Sequence, residues 1–242
     1  MFIRLLVASM FTFGTFPMYA QANNTIVIDT YHMDVTGDGV NETIVLQGEK
    51  LASNSTYFPL VLIKIESQNG ESWDITLPGG FKPTIQFVDV TNNGTFELLY
   101  KDRLNSSHET YTNNIYTFDG NHFKSIPVPK NSFAHGSFQE NFILHIYLQP
   151  HNEPIIIDLK DQATDYIDVG IYDKEGQLPQ QQNTMIEPVH SIETISTEEE
   201  STIIKTTQKV ASMIDASEIG TVHSTWIYEE QAWKLLDAEW QE

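Results

Sequence analysis

The chain has 242 residues, no cysteine, and 33 acidic against 13 basic side chains, for a formal charge of −20. Without cysteine it can hold neither a disulfide nor a lipid-modified cysteine anchor, so its stability must come from a packed core, helped at most by bound metal. A surface this acidic repels nucleic acid and anionic membranes, which removes nucleic-acid binding and membrane insertion as functions.

In chain order, the first predicted element is a leader. "MFIR" is a short basic start, "LLVASMFTFGTF" an apolar run and "PMYAQA" a small-residue exit. This layout predicts a cleavable signal peptide over residues 1–22, with cleavage after Ala22. The apolar run is broken by Gly14 and Pro17 and is too short to span a bilayer. The mature chain, residues 23–242, is therefore expected to be secreted, periplasmic or held in the cell envelope, and its lack of cysteine fits a bacterial product.

Next comes "DVTGDGVNETIVL", Asp34 to Leu46. Oxygen-bearing side chains fall at alternate positions: Asp34, Thr36 and Asp38 at one, three and five, and Glu42 at nine. Gly39 permits a sharp turn and the Val40 carbonyl can supply position seven. That is how a loop curls around a hard cation such as calcium. An EF-hand would need a glutamate at position twelve, which is Val45, and would continue as a helix; here a β-type run follows. The loop returns 55 residues later as "DVTNNGTFE", with Asp89, Thr91, Asn93, Thr95 and Glu97 in the same places. The second copy has two carboxylates where the first has three, so it should bind a cation more weakly. The reading without metal is that both are Asp/Asn-Gly turns capped by their own side chains.

Hairpins alternate with these loops. "IKIESQNGESWDITL" turns at Asn69-Gly70 and "IYTFDGNHFKSI" at Asp119-Gly120. "STWIYEEQAWKLL" repeats the second hairpin 110 residues on, with Phe118, Phe123 and Lys124 matched by Tyr228, Trp233 and Lys234. "IYDKEGQL" (Ile171 to Leu178) suggests a further hairpin tip near residue 175. In the third unit of the period, "LQPHNEPIIIDL" keeps only Glu153 as a possible ligand. In the fourth, "ISTEEESTIIKTTQKV" has glutamates without the alternate spacing. "FPLVLIKI", "IQFVDV", "NFILHIYL" and "PIIIDL" carry strand chemistry, and the one predicted helix spans Thr206 to Ala216. Many short strands on a period near 55 predict an all-β, propeller-like fold. It would have about four blades, over residues 25–80, 81–133, 134–182 and 183–242; five smaller blades or a β-sandwich are the alternatives.

The Asp34 loop resembles the D-x-[DN]-x-D-G-x-x-D loop of FG-GAP and VCBS repeats, in which a calcium loop joins two strands of a blade. The resemblance covers about half the chain, from Asp34 to Pro129. It implies Ca2+ ligands at Asp34, Thr36, Asp38, Val40 and Glu42, and at Asp89, Thr91, Asn93, Thr95 and Glu97 in the second copy. Thr36 and Glu42 depart from the aspartate or asparagine usual at positions three and nine.

Catalytic signatures are absent: there is no H-E-x-x-H, no G-x-S-x-G, no phosphate-binding glycine loop and no cysteine nucleophile. His32 and His122 stand at no metal-ligand spacing. Tyr100, Tyr111, Tyr116, Trp226, Tyr228 and Trp233 could form a ligand platform, but their alternation along strands favours packing between blades. The sequence thus points to an exported, non-enzymatic binding or structural module with an extracellular or cell-surface partner, protein or glycan. The alternative is a secreted hydrolase presenting an acidic pair on an all-β frame.

Overall fold

The computed structural model describes residues 24–106, 110–129, 134–197 and 201–242. The expected leader, residues 1–22, and the glutamates at 198–200 lie outside the described residues. Among the described residues the fold is all-β apart from one short α-helix and a 3-10 turn leading into it.

Four antiparallel sheets follow one another along the chain. The first is a meander of β1 (Thr25–Met33), β2 (Glu42–Glu49), β3 (Leu60–Glu66) and β4 (Ser72–Pro78). The second repeats that order with β5 (Phe81–Val88), β6 (Glu97–Arg103), β7 (Tyr111–Phe118) and β8 (Phe123–Ile126). The third has three strands, β9 (Ala134–Gln139), β10 (Ile143–Leu148) and β11 (Ile155–Asp158), and leads into helix α1 (Ala163–Asp168). The last is built from β12 (Met185–Ile186), β13 (Ser191–Ser196), β14 (Thr202–Ala211), β15 (Glu218–Glu229) and β16 (Ala232–Gln241), with β12 and β13 both lying along β14.

The first two sheets stack head to tail. In β2, residues Glu42, Ile44 and Leu46 alternate with half-buried neighbours, the period-two pattern of a strand with one covered face. With Val35, Val61, Ile63 and Ile65 they pack against Leu98 and Tyr100 of β6. In β6 both faces are covered: Glu97, Leu98, Leu99 and Tyr100 are all buried. Leu98 and Tyr100 turn to the first sheet, whereas Leu99 joins Val90 and Ile115 in a core shared with Ile192, Ile204 and Trp226 of the last sheet. Positions 55 residues apart, Val35 and Val90 or Ile44 and Leu99, thus face the next sheet in the stack.

The last sheet serves two cores. Ile204 and Trp226 pair across β14 and β15 at one end, and Val210 and Val222 belong to the core of the third sheet, with Phe138, Leu144 and Tyr166. Between these ends the inward positions are polar, Thr206, Gln208 and Ser224, all buried. Thr206 Oγ1 donates to the Ser224 carbonyl and accepts from Trp226 Nε1, and Gln208 Nε2 donates to the Glu187 carbonyl. Residues 182–184 bond to β9, and the chain then continues as β12 on β14, closing a half-barrel around the second core.

Two expectations need correction. Residues Thr206 to Ala216 do not form a helix: β14 runs to Ala211 and a turn follows. The inward residues Thr206 and Gln208 are polar, so the period of two was invisible in hydrophobicity. The helix instead spans Ala163–Asp168 and buries Tyr166. The tip near residue 175 is a turn, with Asp173 N donating to Gln177 O, but no assigned strands flank it. The other tips hold: Phe118 faces Phe123 across β7 and β8 with ring centroids 5.2 Å apart, and Tyr228 faces Trp233 across β15 and β16 at 5.0 Å.

Candidate metal centre

Both aspartate loops join the first two strands of their sheets, and both are shaped by their own side chains. In the first, Asp34 accepts from Gly37 N at 2.7 Å and Gly39 N at 2.8 Å, while Asp38 Oδ1 accepts from Val40 N at 2.8 Å. In the second, Asp89 accepts from Asn93 N at 3.0 Å and Gly94 N at 2.8 Å, and Asn93 Oδ1 accepts from Thr95 N at 2.7 Å. Positions four and six are left-handed in both copies: Gly37 and Gly39 have φ of 78° and 84°, Asn92 and Gly94 of 54° and 86°. Such angles suit glycine and are tolerated by asparagine, which is why those residue types stand there.

The glutamate at position nine opens β2 or β6 with its side chain directed back into the loop. Glu42 Oε2 accepts from Val35 N at 2.9 Å and Oε1 from Thr36 Oγ1 at 3.2 Å. Glu97 is more heavily engaged. Its Oε2 accepts from Val90 N at 2.9 Å and Thr91 N at 3.3 Å, and its Oε1 from Thr91 Oγ1 at 2.9 Å and Thr117 Oγ1 at 3.0 Å. Burial pushes the Glu97 carboxyl above the usual carboxylate range, and these hydrogen bonds pull it only part of the way back.

The two loops therefore differ in what they leave for a cation. Asp34, Asp38 and Glu42 offer carboxylate oxygens that lie within 4.8 Å of one another, with burial falling from Glu42 through Asp34 to the exposed Asp38. Among the described residues no other group of three His, Asp or Glu side chains converges in this way. Three carboxylates on one side of a tight loop are a hard-oxygen donor set that suits calcium. Thr36 stands beside Glu42, and Val40 keeps its carbonyl as its one candidate ligand atom. In the second loop Asp89 and Glu97 are the only carboxylates, Asn93 is neutral, and Thr95 is turned elsewhere.

Thr95 packs against the first loop. A Cβ on Gly37 would stand 2.7 Å from Thr95 Oγ1. One unit on, Asn92 holds the start of β14, its Oδ1 accepting from Thr202 N at 2.6 Å. Position four of each loop thus touches the next unit in the stack. Thr36 and Asp38 also line a cavity of about 190 Å³ with Ser67, Glu71, Trp73 and Asn121. Trp73 Nε1 donates to the Asn121 carbonyl at 2.9 Å, tying the first hairpin tip to the second. No local pattern of residues signals that Thr95 and the two tips lie around the first loop, because those contacts depend on how the sheets stack.

Five of the six aromatic candidates pack in or against the cores. Tyr100 and Trp226 are buried, and Tyr116, Tyr228 and Trp233 lie against the same cores. Tyr111 is half-buried and stacks under the Arg103 guanidinium. His122 meets Asp119, and His32 meets Thr43.

In comparisons with known proteins, residues 131–241 are similar to the YybI C-terminal domain family. That stretch spans the third and last sheets and excludes both aspartate loops. No curated protein and no solved structure matches the chain.

Proposed function

We propose that this chain is an exported, non-enzymatic binding or structural module in which calcium stabilises the Asp34–Glu42 loop. The observation that carries the reading is the convergence of Asp34, Asp38 and Glu42 within 4.8 Å. Calcium would screen three carboxylates that otherwise repel one another, and would fix the loop where it meets Thr95 and the two hairpin tips. The second loop is a weaker cation site at most and acts as a joint, because Glu97 is taken up by the chain's own donors.

The repeat of loop, strand order and stacking face supports an FG-GAP/VCBS-type, propeller-like assembly, with the first, second and last sheets stacked as blades. The third sheet, with three strands, would be a modified blade set beside the last. The leader-like start and the absence of cysteine support export to the cell envelope or beyond.

Calcium titration of the melting temperature tests the metal reading. Extracellular calcium modules bind with constants of about 0.1–1 mM, so about 10 mM calcium should add roughly 1.4–2.7 kcal/mol, or about 3–8 °C. Magnesium, which demands a smaller octahedral site, should shift the melt less. A melting curve that calcium leaves unmoved defeats the proposal.

A further inference from the structure

The outer edge of β16 pairs with no strand among the described residues. This strand is the last of its sheet and is ten residues long. An unpaired edge of this length is a template for another strand. Its outward-facing backbone groups are identifiable, because His151 Nε2 lies 3.1 Å from the Ala238 carbonyl, so that carbonyl points away from β15. Residues two apart present their backbone groups to the same side, so Trp240 shares this orientation.

A cavity of about 740 Å³ runs along this edge, between β16 and the turn that joins β10 to β11. Leu148, Ile155 and Trp240 supply apolar lining, and Glu153, Asp237 and Glu239 supply charge. No lysine or arginine lines it; the remaining titratable neighbour is His151, whose Nε2 is 2.9 Å from Asp237 Oδ1. Along β16, Asp237 and Glu239 alternate with Ala238 and Trp240, so an added strand would meet carboxylates on one face and apolar surface on the other.

We infer that this edge docks an extended, basic segment of a protein partner, which adds to β16 as a further strand. Its backbone pairs with Ala238 and Trp240, displacing His151. Its lysines or arginines lie beside Glu153, Asp237 and Glu239, and its alternate apolar side chains enter the Leu148–Ile155–Trp240 cavity. Strand addition supplies affinity through main-chain bonds and specificity through alternate side chains. The inference rests on reading the chain as a binding module, and not on the calcium loop, which lies on the first sheet.

The test is fluorescence anisotropy of the full chain with a labelled heptapeptide alternating lysine and valine. Three control peptides accompany it: one with glutamate for lysine, one methylated on the lysine backbone nitrogens, and one methylated on the valine backbone nitrogens. The expected result is saturable binding of the parent, at least tenfold weaker binding of the glutamate peptide, and at least tenfold loss in only one methylated peptide, since only one edge of the peptide pairs. Asp237→Asn with Glu239→Gln should weaken the parent about fivefold. No saturable binding, or equal binding of both methylated peptides and the parent, overturns the inference. The titration is repeated with a calcium chelator, which should leave the affinity unchanged, so failure here and failure of the calcium reading are separate results.

Discussion

The two aspartate loops share a backbone path yet differ in the chemistry they leave exposed. Each holds its turn with an aspartate at position one, a side-chain cap at position five and a buried glutamate at position nine. These bonds shape the loop without a cation, so the motif alone does not separate an ion site from a structural turn. The separation comes from two details. Asp38 is charged where Asn93 is neutral, and Glu42 accepts two hydrogen bonds where Glu97 accepts four. A loop that satisfies its own carboxylate becomes a joint between sheets; one that gathers spare carboxylate oxygens becomes a candidate cation site.

The largest expected effect breaks the joint. Glu97→Ala leaves the buried Val90 N–H and the Thr117 hydroxyl without their acceptor, and should cost about 3 kcal/mol or more in urea unfolding. A loss below about 1 kcal/mol would show that the second loop is not held by its glutamate. Next in size is a conversion. Asn93→Asp gives the second loop the third carboxylate of the first and should create or enlarge a calcium-dependent rise in melting temperature, whereas Asn93→Ala should not. Should Asn93→Asp leave the response unchanged, the occupied state of Glu97, and not the carboxylate count, sets the difference.

Smaller still is the contact between the loops. Gly37→Ala places a Cβ at a φ of 78° and 2.7 Å from Thr95 Oγ1, and should cost about 1–2 kcal/mol. Combining it with Thr95→Ala should recover the steric share and leave the backbone share; full recovery would mean the backbone strain is negligible.

The smallest effect is in pH dependence. Burial raises Glu97 from its unfolded value of 4.5, so folding favours its protonated form. That contribution is fully present below about pH 4.5 and is lost as pH rises through the folded value. Asp102, raised chiefly by burial against bonds from Tyr100 and Thr112, adds a loss of the same sign. Glu97→Gln should therefore flatten the decline in stability above about pH 4.5, as read by urea midpoints across pH. An unchanged slope assigns the decline to Asp102.

Much of the first half of the fold was legible in the residues. The 55-residue recurrence placed both loops, and Asn69-Gly70 and Asp119-Gly120 placed both hairpins, because turn chemistry and alternation are local. The second half was harder for a physical reason. β14 turns Thr206 and Gln208 inward between two apolar cores, so its buried face does not read as hydrophobic and the segment passed for a helix. Stacking was not legible either. The third sheet is passed over, and Ile204 and Trp226 of the last sheet cover Leu99 and Ile115 of the second. At the candidate site the three carboxylates that converge were legible in the sequence, but the contact of Thr95 with Gly37 and the cavity beside Asp38 arise only when sheets meet.

The proposed calcium site is the first loop and not the second, with Asp34, Asp38 and Glu42 as its carboxylates. Isothermal titration of the chain with calcium tests it most directly, run on the unaltered protein, on Asp38→Ala and on Asn93→Ala. One site per chain is expected, lost in Asp38→Ala and kept in Asn93→Ala. Calcium binding that survives Asp38→Ala, or no binding by the unaltered protein at millimolar calcium, would contradict it.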